Sequence, residues 1–316
     1  MFASSFFFIY ANKAMPENSF TLPSYAKINL FLRVFGKRPD GFHEICTIFQ
    51  TVSLCDYLTF SRDKKIILTC DDENIPVNDK NLIVRAAKIL QENCDVTNGA
   101  RIHLEKKIPA PGGLGGGSSN AAIALLGLVK LWNIKIDFED LCGLGAQLGS
   151  DVPFFFYGGT GGGTGRGTEV FSLENYTENY LLIVTPKVDI STNKAFALLN
   201  APDLTNKGSK SILQICRDEV KLLFSRQADL KNDFERVIFE IEPEVARAKQ
   251  RLLDCGARRA LMSGSGASVF GIFDTNEERE NALYVFQQSE KEWRVFPTET
   301  ISRSAYQKSL KLDKDF

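Results

Sequence analysis

Residues 102–132 read IHLEKKIPAPGGLGGGSSNAAIALLGLVKLW. An alternating run around RIHLEK gives way to glycines at 112, 113, 115, 116 and 117, then to Ser118 and Ser119, then to an almost wholly apolar stretch. The alternation predicts a strand, and the apolar stretch a helix buried on every side. Between them the backbone is bare. Glycine costs up to about 1 kcal/mol of backbone entropy in regular structure, so such a concentration beside a buried helix is more than a connector. A strand, a glycine-rich loop and a helix N-terminus in that order form an anion site. The N–H groups converge on phosphate oxygens and the helix end adds roughly half a positive charge. Ser118 and Ser119 bring hydroxyls suited to capping the helix, touching a phosphate or ligating Mg²⁺. No Lys-Ser or Lys-Thr follows and the loop holds no strict GxGxxG, so a Walker A loop and a dinucleotide fingerprint are both excluded.

Upstream, in AKINLFLRVFGKRPDGFHEICTIFQTVSL (26–54), Ile28, Leu30, Leu32 and Val34 alternate with Lys27, Asn29, Phe31 and Arg33. That period predicts a half-buried strand with Lys27 and Asn29 on one face. The turn Pro39-Asp40-Gly41 and a second strand from Phe42 make a hairpin, which brings Phe42 and His43 near the end of the first strand. YLTF and IILTC read as further strands and NLIVRAAKILQENC as a helix. Past the glycine loop, helical FEDLCGLGAQLG runs to Ser150-Asp151-Val152-Pro153, where Pro153 disfavours helical geometry at Val152 and sets Asp151 on a bend.

A second glycine cluster, GGTGGGTGRG (158–167), predicts a mobile loop beside Asp151. A domain boundary falls near residue 175, dividing 22–175 from 176–316. Residues 1–21 read as a disordered extension, with Met15 as a second candidate start. The C-terminal half carries a strand and helix (YLLIVTPKVDISTNKAFALL) and a long helical stretch (ERVIFEIEPEVARAKQRLLDCG). Strand, tight turn and strand follow in ARRALMSGSGASVFGIFD, then helical ERENALYVFQQS and strand-like EWRVFPTE. Without a repeating βαβ period the fold class is α+β.

At 316 residues the chain exceeds the roughly 150 of one domain. Its 38 basic and 39 acidic residues nearly cancel and form no basic stripe, which argues against nucleic acid as a partner. Seven cysteines without a CxxC pair read as reduced thiols of a cytoplasmic protein. Two histidines, and no Cys/His cluster at ligand spacing, leave no protein metal site, so any metal arrives with the substrate. The apolar run Phe6–Tyr10 lacks a preceding basic residue and is too short to span a bilayer. The absence of a GxSxG elbow argues against a serine hydrolase.

Pro109 followed by GLGGGSSNAA resembles the second motif of the GHMP kinases, named after galactokinase, homoserine kinase, mevalonate kinase and phosphomevalonate kinase. SYAKINLFL is similar to their first motif and MSGSGASVF to their third, and with RPDGFHEICTIFQ, NLIVRAA and LGSDVPFF the resemblance runs from about residue 22 to 300. It implies an N-terminal mixed α/β domain with the phosphate loop and a C-terminal ferredoxin-like domain. It also implies ATP with Mg²⁺, and an acceptor that is the 2-hydroxyl of a cytidyl diphosphate methylerythritol used in isoprenoid synthesis by the non-mevalonate route. Position by position, it makes Asp151 the catalytic base and Lys27 its partner, with Asn29 orienting them. Phe42 and His43 hold the cytosine. Asn81 and Lys106 lie near the adenine, while Pro109, Gly112, Gly113, Leu114, Gly115, Gly116, Gly117, Ser118 and Ser119 cradle the triphosphate. Gly264, Ser265 and Gly266 close the substrate site. The chemistry is coherent, because an in-line transfer needs a base within reach of the alcohol and positive charge near the transferred group. Pro111 departs from the small residue expected there. Homoserine- or mevalonate-type kinases, and a non-catalytic nucleotide-binding protein on the same scaffold, remain open. The oligomeric expectation is a monomer or weak homodimer.

Overall fold

The computed structural model describes residues 19–202, 214, 218 and 230–311. Of the expected extension 1–21, residues 1–18, with Met15 and the Phe6–Tyr10 run, lie outside them, whereas Phe20 and Thr21 already stand in the first strand. Two long strands, β1 (Phe20–Lys37) and β2 (His43–Asp63), pair antiparallel from Phe20↔Phe60 to Lys37↔His43. The turn between them closes with Arg38 N–H donating to Phe42 O and with Gly41 at φ 85°. β4 (Gly99–Glu105) adds to β2, β3 (Ile66–Cys70) lies parallel to β4, and the short β8 (Lys231–Asn232) lies parallel to β1.

The first strand departs from the half-buried expectation. Lys27 and Asn29 are as buried as Ile28 and Leu30. Ile28 and Leu30 pack on the C-terminal sheet, with Leu181, Ile183 and Phe270. Lys27 meets the glycine loop instead, and Asn29 the Ser263 hydroxyl that is itself bonded to that loop. Alternation reports the chemistry of the two faces, and tertiary structure covers both.

Helices α1 (Leu82–Asn93), α2 (Gly116–Trp132), α3 (Phe138–Leu148) and the single turn α4 (Phe154–Tyr157) share one core with Phe49, Phe60 and Ile102. The helix after the glycine loop is buried nearly all round, as its composition requires. The second glycine cluster is not a mobile loop. Thr160–Thr164 is strand β5, buried throughout, paired with β2 from Thr47↔Gly163 to Gln50↔Thr160 and with β6 (Glu169–Ser172). The rings of Phe49, Phe154 and Phe171 occupy the space where its side chains would stand.

The C-terminal half is built from β7 (Leu181–Thr185), α5 (Thr192–Leu199), α6 (Glu235–Ile241), α7 (Pro243–Asp254), β9 (Arg259–Met262), β10 (Val269–Ile272), α8 (Asn276–Ser289) and β11 (Arg294–Thr298). Its antiparallel sheet has the order β11-β7-β10-β9. Counted along the chain that is 4-1-3-2, the ferredoxin-like arrangement. Alternation sets its two faces: Leu182 and Val184 pack on the helices with Leu252 and Phe286, Leu181 and Ile183 on the hairpin. A final helix, α9 (Arg303–Leu310), returns to the first core. Tyr306 lies in the first core, its Oη donating to Phe155 O.

Cys46, fully buried, is disulfide-bonded, which corrects the reading of all seven cysteines as reduced. Among the described residues no helix is long and apolar enough to cross a membrane.

Candidate active site

Gly115, at φ 69°, turns the chain out of the extended approach and caps α2 without a side-chain hydrogen bond. The first N–H groups of a helix have no partner within it, so this end presents bare donors to the cavity above. The loop is tied from both halves of the molecule. Lys27 N–H donates to Leu114 O (2.9 Å), and Ser268 N–H to Gly112 O (3.1 Å). Ser263 Oγ donates to Gly113 O (3.0 Å). Ser118 lines the cavity, whereas Ser119 is buried and accepts a hydrogen bond from Ser24 Oγ (2.8 Å).

Beneath the loop Lys27 is 2 % exposed. Its ammonium donates to Asn29 Oδ1 (2.6 Å) and to Gly113 O (3.0 Å), and lies 3.5 Å from Asp151 Oδ2. Burial lowers the Lys27 pKa from its ordinary value, and the Asp151 charge opposes that shift. Asn29 is itself fixed, donating to Thr47 Oγ1 (2.7 Å), whose hydroxyl donates to Phe31 O (2.8 Å). Asp151 stands in the turn between α3 and α4, as Pro153 requires, and its side chain is 32 % exposed toward the cavity. One oxygen atom's environment is therefore cationic and the other side of the carboxylate is open. A hydroxyl entering from the cavity meets a base on one flank and a fixed ammonium beside it.

The cavity holds about 820 Å³ and runs from Leu82, Pro109 and Ser118 past Asp151 to an aromatic end at Phe42, His43 and Phe196. The His43 ring stacks on Phe196 at 4.7 Å and 20°. Burial, then the nearby Lys37 charge, lowers the His43 pKa below its ordinary value, which favours the neutral ring. Phe42 remains 47 % exposed, with the Arg166 guanidinium 4.7 Å above it. A flat, partly polar ring system suits these faces.

Four other sequence-derived candidates, Asn81, Lys106, Gly264 and Gly266, do not line the cavity. Asn81 caps α1, its Oδ1 accepting from Ile83 N–H (2.9 Å), while Lys106 is buried against Asp56 (2.9 Å) and donates to Ile108 O. Gly264 and Gly266 press on the Gly113 backbone from below, and of that loop Ser265 reaches the cavity lining. Phe196 and Arg166 were not found in the sequence. Phe196 sits in an ordinary amphipathic helix, α5, and Arg166 within the glycine cluster. Only their position against Phe42 and His43 distinguishes them.

Comparison with known proteins gives two family matches, "GHMP kinases N terminal domain" over residues 81–159 and "GHMP kinases C terminal" over 211–291. The 4-diphosphocytidyl-2-C-methyl-D-erythritol kinase of Solibacter usitatus is 40% identical, over 90% of this chain and 90% of that one. That of Protochlamydia amoebophila is 41% identical over 80% and 84%. A crystal structure of 4-(cytidine 5'-diphospho)-2C-methyl-D-erythritol kinase superposes with a TM-score of 0.72 at 29% identity, covering 89% of this chain and 99% of that one. A homoserine kinase from Cytophaga hutchinsonii reaches 0.64 at 19% identity, covering 93% and 97%, which marks a shared fold.

Proposed function

This chain belongs to the GHMP kinase family, and we propose that it transfers the γ-phosphate of ATP to the 2-hydroxyl of 4-diphosphocytidyl-2-C-methyl-D-erythritol, giving the 2-phosphate and ADP in the non-mevalonate route to isoprenoids. The observation that carries this reading is that the Lys27–Asp151 pair faces the same cavity as the bare start of α2, with an aromatic clamp at the far end. The loop amides and the helix N-terminus receive the triphosphate. The alcohol oxygen attacks the γ-phosphorus in line, and its proton passes to Asp151. The bond from that phosphorus to the bridging oxygen breaks, and ADP leaves with the electron pair. Lys27, held by Asn29 and Gly113, offers fixed positive charge without reorganising. Phe42, His43 and Phe196 hold the cytosine.

Mg²⁺ fits this donor set. The Ser118 hydroxyl, a hard oxygen on the cavity wall at the start of α2, would hold it together with the phosphates of ATP. When bound, the ion neutralises charge on the phosphates. A cytoplasmic location and a monomer or weak homodimer belong to the same reading.

A homoserine- or mevalonate-type acceptor asks for no aromatic clamp, and the Phe42–His43–Phe196 end is therefore the discriminating feature. The test mixes the protein with ATP, Mg²⁺ and the cytidyl diphosphate substrate and follows the new phosphomonoester by phosphorus NMR. Absence of that signal, with turnover of homoserine or mevalonate, removes the substrate assignment.

A further inference from the structure

We infer that Arg166 binds the diphosphate of the cytidyl substrate and so fixes how far the acceptor alcohol reaches toward Asp151; this deepens the reading above and rests on it. Arg166 occupies the turn between β5 and β6, flanked by Gly165 (φ 66°) and Gly167 (φ 97°). The turn is tied to the start of β2: Ile45 N–H donates to Gly165 O (2.8 Å) and Gly165 N–H to Glu44 Oε1 (3.0 Å). On its other side Gly167 faces Ser150, where a Cβ would lie 3.8 Å from the serine Cβ. The arginine is thus wedged between the strand end that carries His43 and the residue that precedes Asp151. Its orientation is set twice, by the Phe42 ring at 4.7 Å and by donation to Ala146 O (3.2 Å).

A diphosphate joining a base at the aromatic end to an alcohol at Asp151 must cross this point. It carries negative charge into a partly enclosed cavity, where desolvation has to be offset by a paired cation. Among the described lining residues the cations are Lys27, Lys37 and Arg166. Lys27 is committed to Asp151, Asn29 and Gly113, and Lys37 lies exposed at the rim. Arg166 also has the planar fork of donors that matches two phosphate oxygens at once.

The experiment compares wild type with Arg166→Met and Arg166→Lys by calorimetric binding of cytidine and CDP, together with KM for each substrate. In Arg166→Met, CDP affinity and KM for the cytidyl substrate are expected to worsen about 10- to 100-fold, the range of a lost charge-assisted contact. Cytidine affinity stays within about threefold and KM for ATP within about twofold. Arg166→Lys, which keeps the charge and loses the fork, falls between. Thermal unfolding of both variants identifies a folding defect, and Arg166→Lys carries the test should the methionine variant not fold. Equal weakening of CDP and cytidine, or no change in either, overturns the inference, because Arg166 would then only steady Phe42 or nothing. A wild type that neither binds CDP nor turns over the cytidyl substrate removes the proposed function itself, which separates the two failures.

Discussion

Gly113 lies so close to Ser263 that a Cβ on it would stand 2.1 Å from the Ser263 carbonyl oxygen, and its φ of 71° is one that side-chain-bearing residues rarely adopt. The glycine loop at 112–117 and the β9–β10 loop are therefore one packed unit joining both halves of the chain. Gly113→Ala should cost about 2–4 kcal/mol in denaturant unfolding, from left-handed strain plus the clash. Gly117 gives the contrast. A Cβ there meets only Leu82 Cδ1 at 3.8 Å, in the first turn of α2. Gly117→Ala should leave stability unchanged or raise it by up to about 1 kcal/mol, while raising KM for ATP, because phosphate needs the bare backbone. An unaltered KM in a stable Gly117→Ala protein would place the phosphates elsewhere.

The proposed role of Lys27 predicts that its loss costs turnover and not stability. Lys27→Met removes a desolvated charge whose partner, Asp151, stays partly hydrated, and Ser263 Oγ still donates to Gly113 O. The unfolding free energy should stay within about 1 kcal/mol of wild type, while kcat falls about 10²- to 10⁴-fold. Asp151→Asn should show the same split between stability and turnover. Stopped-assay kinetics beside calorimetric melts checks it, and near-normal kcat in either variant removes that residue from the mechanism.

Burial lowers the Lys27 pKa below 10.5, so the ammonium is lost on the alkaline side before an ordinary lysine titrates. In the window between that lowered value and 10.5 the unfolded chain holds a proton that the folded chain has released. Stability from this group therefore rises with pH through the window, and kcat/KM falls. Because the Asp151 charge works against the shift, Asp151→Asn should move the Lys27 titration lower still. Carbon-13 NMR of the lysine ε-carbons, assigned with Lys27→Met, reads both values. A Lys27 titrating at the ordinary position in both proteins would contradict the burial argument.

What the sequence made legible were features whose causes are local. The glycine loop before a buried helix, the alternation that set Lys27 beside Asn29, and the proline that bent the chain at Asp151 each follow from a few neighbouring residues. The burial of β1 on both faces did not, because the second cover comes from residues near 113 and 263. Nor did the return of Tyr306 to the first core, which no pattern near residue 306 announces. The aromatic clamp was half visible: Phe42 and His43 share a turn, but Phe196 joins them from a helix some 150 residues further on.

Phe196 supplies the flat face on which His43 rests, and its removal should act on one substrate only. Phe196→Ala is expected to raise KM for the cytidyl substrate about 10-fold, in line with the loss of an aromatic stack and its buried area, with KM for ATP unchanged. Cytidine and CDP affinities should fall together. That common fall distinguishes Phe196 from Arg166, whose loss should separate the two ligands. Equal rises in both KM values would mean that α5 shapes the whole cavity and not the base pocket.

The glycines of β5 invite a test of packing against mobility. A Cβ on Gly162 would lie 2.2 Å from Phe171 Cζ, and the strand backbone on its other edge is hydrogen-bonded to β2, so neither side can retreat freely. Gly162→Ala should therefore destabilise by about 1–3 kcal/mol, the usual cost of overpacking a filled site. If the clash with the ring is the cause, Phe171→Leu, which removes the offending atoms, should restore part of that loss in the double variant and give a coupling of at least about 0.5 kcal/mol. A glycine kept for mobility behaves differently: alanine would stabilise by stiffening the unfolded chain, and the second substitution would add independently. Denaturant unfolding of the four proteins in the cycle separates these outcomes. The result bears on catalysis as well, because the turn at Gly165–Gly167 that carries Arg166 is the continuation of this strand and is only as well placed as the strand beneath it.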